Sequence, residues 1–135
     1  MNIDLLRTYL LGLPHVEETM QWGDNLVFWV GDKTIGGKML ALADLSGEAK
    51  AVFSFCAGPE RYHQLLEIDG IIPAPYLARA YWVALESYDV LPSRDLKDEL
   101  LNGHGIVYNK LTRKMRELLA QPKTTKKKPT KKRAL

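Results

Sequence analysis

A chain of 135 residues, 46% hydrophobic and 26% charged, is sized for one domain around one core and leaves no room for a second. Its formal net charge of +3 is unevenly held: residues 122–135 carry seven basic side chains and no acid, so 1–121 holds twelve basic against sixteen acidic residues, a net of −4. The single cysteine, Cys56, excludes an internal disulfide, and no run approaches the ~20 apolar residues of a membrane span.

In chain order, Asn2 is an N-cap for a helix whose apolar positions Ile3, Leu6, Leu10 and Leu13 recur at helical spacing until Gly12 and Pro14 end it. A capped helix here, interrupted by Arg7 and Gly12, is not a signal peptide, so a soluble cytoplasmic protein is expected. The stretch from His15 to Asn25, with Glu17, Glu18 and Asp24, reads as a loop, and the apolar run 26–30 as the first strand. Gly31, Asp32 and Lys33 make a turn, and 38–45 and 51–55 complete an antiparallel meander whose entry at Gly36-Gly37-Lys38 reads as a bulge. These strands are apolar on both faces. One face is therefore expected under helices and the other partly covered, a homodimer being one way to cover it.

Gly58-Pro59-Glu60 opens a second helix, with Pro59 at its first position, Tyr62, Leu65 and Leu66 as its buried stripe, and Asp69-Gly70 as its stop. Pro73 and Pro75 hold the following approach extended. Tyr81, Val83 and Leu85 then alternate with Trp82, Ala84 and Glu86, the period of a strand with one strongly apolar face. Ser93 is the expected cap of a short helix carrying Leu96, Leu100 and Leu101, broken at Asn102-Gly103. Val107, Leu111, Met115, Leu118 and Leu119 trace a final amphipathic helix that shows Lys110, Arg113 and Lys114 on its other side. The tail that follows has two prolines and almost nothing to bury, and is expected to be disordered when alone. The order of elements predicts an α+β fold, a two-layer sandwich of helices on one antiparallel sheet, with residues 1–121 as the domain.

Chemistry-bearing patterns are sparse. Cys56 ends an apolar strand as a core thiol would. His15, His63 and His104 lack metal-ligand spacing, and no glycine-rich phosphate loop stands between a strand and a helix. No catalytic residue, metal site or cofactor is assigned, and a non-enzymatic protein is expected. Nucleic acid has the stronger physical case. Lys123, Lys126, Lys127, Lys128, Lys131, Lys132 and Arg133 in one flexible segment would release counterions from a phosphate backbone. The same tail could instead serve solubility or meet another polyanion. Lysines without interleaved aromatics favour non-specific duplex contact over base stacking.

Pro73-Ala74-Pro75-Tyr76-Leu77-Ala78-Arg79 with Trp82-Val83 resembles a segment of the MmcQ/YjbR-like family, also known as DUF419, small proteins with a CyaY-like fold. Leu13-Pro14-His15-Val16-Glu17-Glu18, Trp22-Gly23-Asp24 and Gly37-Lys38-Met39 agree in order and spacing, over about residues 3 to 120. Two positions depart: Cys56 stands where the family commonly has a lysine, and Gly103-His104 where it has Ser-Tyr. The resemblance implies DNA binding through a double-wing arrangement of the sheet, with Lys38 and Arg79 retained by position and Lys33 and Arg61 nearby. Charge placement then gives Lys38, Arg79, Lys110, Arg113 and Lys114, with the tail cations, as the nucleic-acid-binding set, the tail supplying most of the affinity. The competing reading is a small-molecule or protein-interaction module on a concave sheet face lined by Trp22, Trp29, Tyr76 and Trp82.

Overall fold

The computed structural model describes residues 1–121, and the basic tail lies outside the described residues. Helix α1 (Ile3–Leu11) begins where Asn2 Oδ1 accepts the Leu5 amide at 2.9 Å, and it buries Leu6 and Leu10 completely. The chain then departs from the loop expected at 15–25. Val16–Gln21 is a strand, β1, paired antiparallel with β2 (Asn25–Val30) through a turn at Trp22 and Gly23. The adjacent Glu17 and Glu18 obscure its alternation. Glu17 is exposed, while Glu18 turns toward α1 and pairs with Arg7. Charged residues on an edge strand are a common guard against pairing with other chains.

β3 (Lys38–Asp44) and β4 (Phe53–Cys56) complete the expected meander. The bulge falls slightly later than its expected place at 36–38: pairing jumps from Phe28 with Ala41 to Trp29 with Met39, which leaves Leu40 as the extra residue. Gly36 and Gly37 serve the turn instead. Gly36 takes φ 117° to end a 3-10 turn over Lys33–Ile35, and a Cβ on Gly37 would fall 2.1 Å from the Gly31 carbonyl oxygen.

Pro59 starts α2 (Pro59–Leu65) as expected. The extended approach after it is itself a short edge strand, β5 (Ile71–Pro73), where Pro73 needs no outward N–H. β6 (Trp82–Leu85) is buried at all four residues, so the single apolar face read from its alternation is a correction: both faces are covered. Its neighbours are β4 and β5, and the segment before it folds back, with Trp82 N–H donating to the Leu77 carbonyl. The six-stranded antiparallel sheet has the order β1-β2-β3-β4-β6-β5.

The last third of the described chain differs most from expectation. The N-cap position belongs to Pro92 rather than Ser93, and α3 (Ser93–Lys110) runs 18 residues straight through Asn102 and Gly103. Gly103 is there for proximity, since a Cβ on it would lie 2.4 Å from the Cys56 carbonyl oxygen. The break comes at Leu111 and Thr112, after which Thr112 Oγ1 accepts the Met115 amide and starts α4 (Arg113–Ala120). Val107 therefore belongs to α3 and Met115 to α4.

Helix α3 lies on β2, β3 and β4, α1 on β1, and α2 against β6. Under them the register aligns Phe28, Ala41, Phe55 and Val83, then Ala43, Phe53, Leu85 and Ile71, as cross-strand rows of the core. Arg61 spans two helices, its guanidinium bonding both oxygens of Glu99 in α3. By period two, Val27, Leu42, Ser54, Ala84 and Ile72 belong to the opposite face. No helix among the described residues is long and apolar enough to cross a membrane.

Candidate functional site

The register decides where the predicted cations stand. β3 and β6 are each antiparallel to β4 and therefore parallel to one another. Lys38 opens β3, and Arg79 sits in the 3-10 turn Ala78–Ala80 that leads into β6, so both are exposed at the same end of the sheet. The other predicted residues reach that end from the helical layer. Lys110, at the end of α3, acts electrostatically on Cys56 at the end of β4. Helix α4, with Arg113 and Lys114 in its first turn, packs Met115 beside Gly31 and Gly36 in the β2–β3 connection. Lys33 joins them, its Nζ 5.8 Å from the Trp29 ring centroid.

Some of this charge is offset locally. Arg113 pairs with Glu117 at 3.1 Å, and Asp32 is bound to the Thr34 amide and hydroxyl, which hold its carboxyl below the usual carboxylate range. Arg61, read from sequence as an added surface cation, is engaged by Glu99 and is not spare. The opposite end of the sheet is acidic, with Asp24 and Asp44 where β2 and β3 meet and Glu86 and Asp89 beyond β6. Lys50 is held there by Glu86 at 3.6 Å and the terminal amine by Asp89 at 3.3 Å. Net charge alone hides this division.

Of the four aromatics expected to line one sheet face, only two share a cavity. Trp22 and Tyr76 do come together, in the lining of a cavity of about 530 Å³ on the face away from the helices. Leu42, Ser54 and Ile72 of three different strands are in the same lining, with Asn25, Asp44 and Lys50 toward the acidic end. Trp29 is placed apart, its Nε1–H donating to Thr19 Oγ1 at 2.9 Å, and Trp82 is a core residue only 4% exposed. Leu42, Ser54, Ile72 and Asp44 escaped the sequence reading because only strand register puts them side by side. A partial signal was available: within β3, Leu42 and Asp44 alternate with the buried Ala41 and Ala43.

The remaining reactive side chains serve packing. Burial pushes the Cys56 thiol up, against the weaker pull of Lys110. His104 is 9% exposed, with Nε2 2.7 Å from the Pro14 carbonyl, and its ring stacks near Tyr108, which also stacks near His15. His63 meets Tyr62 edge-on. Among the described residues no group of three or more His, Cys, Asp or Glu side chains is arranged to hold a metal ion.

The geometry defines an α+β domain with helices on one face of an antiparallel sheet, a cavity on the other, and cations gathered at one end. The YjbR family profile matches residues 11–104, most of the chain, and the protein belongs to that family. A similar solved structure is the crystal structure of Deinococcus radiodurans protein DR2400, described as a DUF419 domain. It is 28% identical with a TM-score of 0.76, and the likeness covers 93% of this chain and 92% of that one. No functionally curated protein matches the chain.

Proposed function

We propose that this protein binds duplex DNA weakly and without sequence preference, the basic end of the sheet meeting phosphates and the Lys-rich tail acting as an electrostatic tether. One observation carries the reading: the parallel relation of β3 and β6 brings Lys38 and Arg79 to the end that also holds Lys110, Arg113 and Lys114. The tail follows α4 directly in the chain and extends the same charge. Phosphate contacts of this kind give affinity that falls steeply with salt, about 0.9 in log–log slope per phosphate neutralised, and they carry no sequence information.

The test compares duplex binding by the full chain and by residues 1–121 across a salt series. The full chain is expected to bind with a steep slope. The truncated chain is expected to lose roughly tenfold or more in affinity at moderate salt, the scale set by losing several phosphate contacts, and to keep a smaller salt-dependent remainder. Absence of salt-dependent binding by the full chain would sink the reading, and equal binding by both would move the contact from the tail to the folded surface.

A further inference from the structure

The cavity over the open face has a chemistry of its own, independent of DNA. Its floor is apolar, from Leu42 and Ile72, and its two aromatic rings are held out to solvent: Trp22 is 64% exposed and Tyr76 fully exposed at 103%. Both residues also take left-handed backbone conformations, φ 47° and 66°, which bulky side chains disfavour. Exposed aromatics in strained positions beside a cavity are a common arrangement at ligand clamps.

The polar atoms of the lining identify what could fill it. Lys50, the one cation in the lining, stands 3.6 Å from Glu86, whose charge offsets its own, so the net field of the lining does not favour an anion. Asp44 uses Oδ1 on the Ser46 amide and hydroxyl, at 2.9 and 2.5 Å, and its Oδ2 has no hydrogen-bond partner among the described residues. Asn25 donates its amide N–H to the Trp22 carbonyl at 2.9 Å, which leaves the Asn25 Oδ1 as an acceptor. The Ser54 hydroxyl, on the sheet floor, has no partner among the described residues. Asp44 Oδ2 and Asn25 Oδ1 are thus unused acceptors, the first a carboxylate oxygen, beside two π-faces. That set is complementary to a donor with positive charge and an apolar body.

We propose that this cavity is a binding site for a small arylalkylammonium-type cation, its ammonium group at Asp44 Oδ2 and its apolar body against Leu42 and Ile72 under Trp22 and Tyr76. The volume suits such a ligand, since small-molecule sites typically enclose about 300 to 1,000 Å³. Asp44 lies at the acidic end, whereas Tyr76 and Leu77 lead into the turn that carries Arg79, so the proposed ammonium position, not the whole lining, is set apart from the basic end.

The probes are phenethylammonium, neutral 2-phenylethanol and anionic 3-phenylpropionate, titrated into the full chain at low ionic strength. Calorimetry gives affinities and the three tryptophan indole N–H resonances report position, with Trp29 and Trp82 as internal controls. Phenethylammonium is expected to shift the Trp22 resonance saturably and to bind at least tenfold more tightly than the alcohol, with no binding of the propionate. Asp44→Asn keeps an acceptor for the Ser46 turn and should reduce the cation to the affinity of the alcohol. Tyr76→Ala, at a side chain fully in solvent, should weaken phenethylammonium severalfold while the circular dichroism spectrum stays unchanged. Four results would each overturn the proposal: no probe moving Trp22, propionate binding as well as the cation, Asp44→Asn without effect, or Trp22 moving on dilution alone, which would make this face a contact between copies of the chain.

Discussion

Gly103 and Gly105 sit two residues apart in α3, and adding a methyl group to each has opposite expected consequences. At Gly103 the new Cβ would meet the Cys56 carbonyl oxygen at 2.4 Å, a backbone atom that cannot swing aside. The helix preference for alanine, about 1 kcal/mol, is too small to offset that overlap, and Gly103→Ala should lose about 2 to 3 kcal/mol. A Cβ on Gly105 would meet nothing within 4 Å beyond its own turn of helix, so Gly105→Ala should gain about 0.5 to 1 kcal/mol. Urea denaturation of the two variants checks this, and equal stabilities would contradict the packing account. Tyr88 carries a pH signature. Burial, then the charge of Asp44, pushes its phenol up to about 12. The folded value lies above the ordinary one near 10, so this contribution is complete below about pH 10 and is lost as pH rises through about 12. Tyr88→Phe should therefore flatten the fall of stability with pH in that window. Near pH 8 it should cost only the 3.3 Å bond to the Val52 carbonyl, about 0.5 to 1 kcal/mol. Denaturation midpoints of the two proteins from pH 8 to 12 decide it.

At the scale of elements, the boundary between α3 and α4 shows how two local signals compete. Asn102-Gly103 has the composition of a helix stop, yet the close approach of α3 to β4 requires glycine there and the helix continues. Thr112, a less conspicuous signal, supplies the actual start, its Oγ1 3.1 Å from the Met115 amide. Helix α4 has eight residues and is too short to hold itself, so it depends on this cap and on Met115, buried against Gly31 and Gly36. Thr112→Ala should cost about 1 kcal/mol, with faster amide exchange confined to 113–120. Unchanged exchange there would mean that Met115 alone anchors the helix. β1 is hidden in the sequence for a related reason: Glu17 and Glu18 fall on opposite faces of an edge strand, one in solvent and one on Arg7, and without that geometry they look like loop residues.

Across the whole molecule, the division of charge along the strands matters more than its sum. A strand of seven residues such as β3 spans about 20 Å, roughly two Debye lengths at physiological salt, so the acidic end does little to cancel the field at the basic end. Reversing Lys38 and Arg79 to glutamate in the full chain should lower duplex affinity several-fold and reduce the salt slope by about one to two. Lys50→Glu, at the far end, should leave affinity within about twofold by the same screening. Comparable losses from both changes would mean that net charge, not placement, governs binding.

The amino-acid sequence by itself determined what local chemistry can encode: the Asn2 cap and apolar stripe of α1, the 26–55 meander, Pro59 at the head of α2, and the ordered motifs that mark the YjbR family. Tertiary structure decided whatever depends on which strands lie side by side. The cavity takes Leu42 and Ser54 from the paired strands β3 and β4 and Ile72 from β5, which reaches β4 only through β6, and the basic end takes Lys38 from β3 and Arg79 from the turn before β6, which no short-range pattern relates. Caps and periodicities act between residues a few positions apart, whereas register and shared faces follow from long-range pairing.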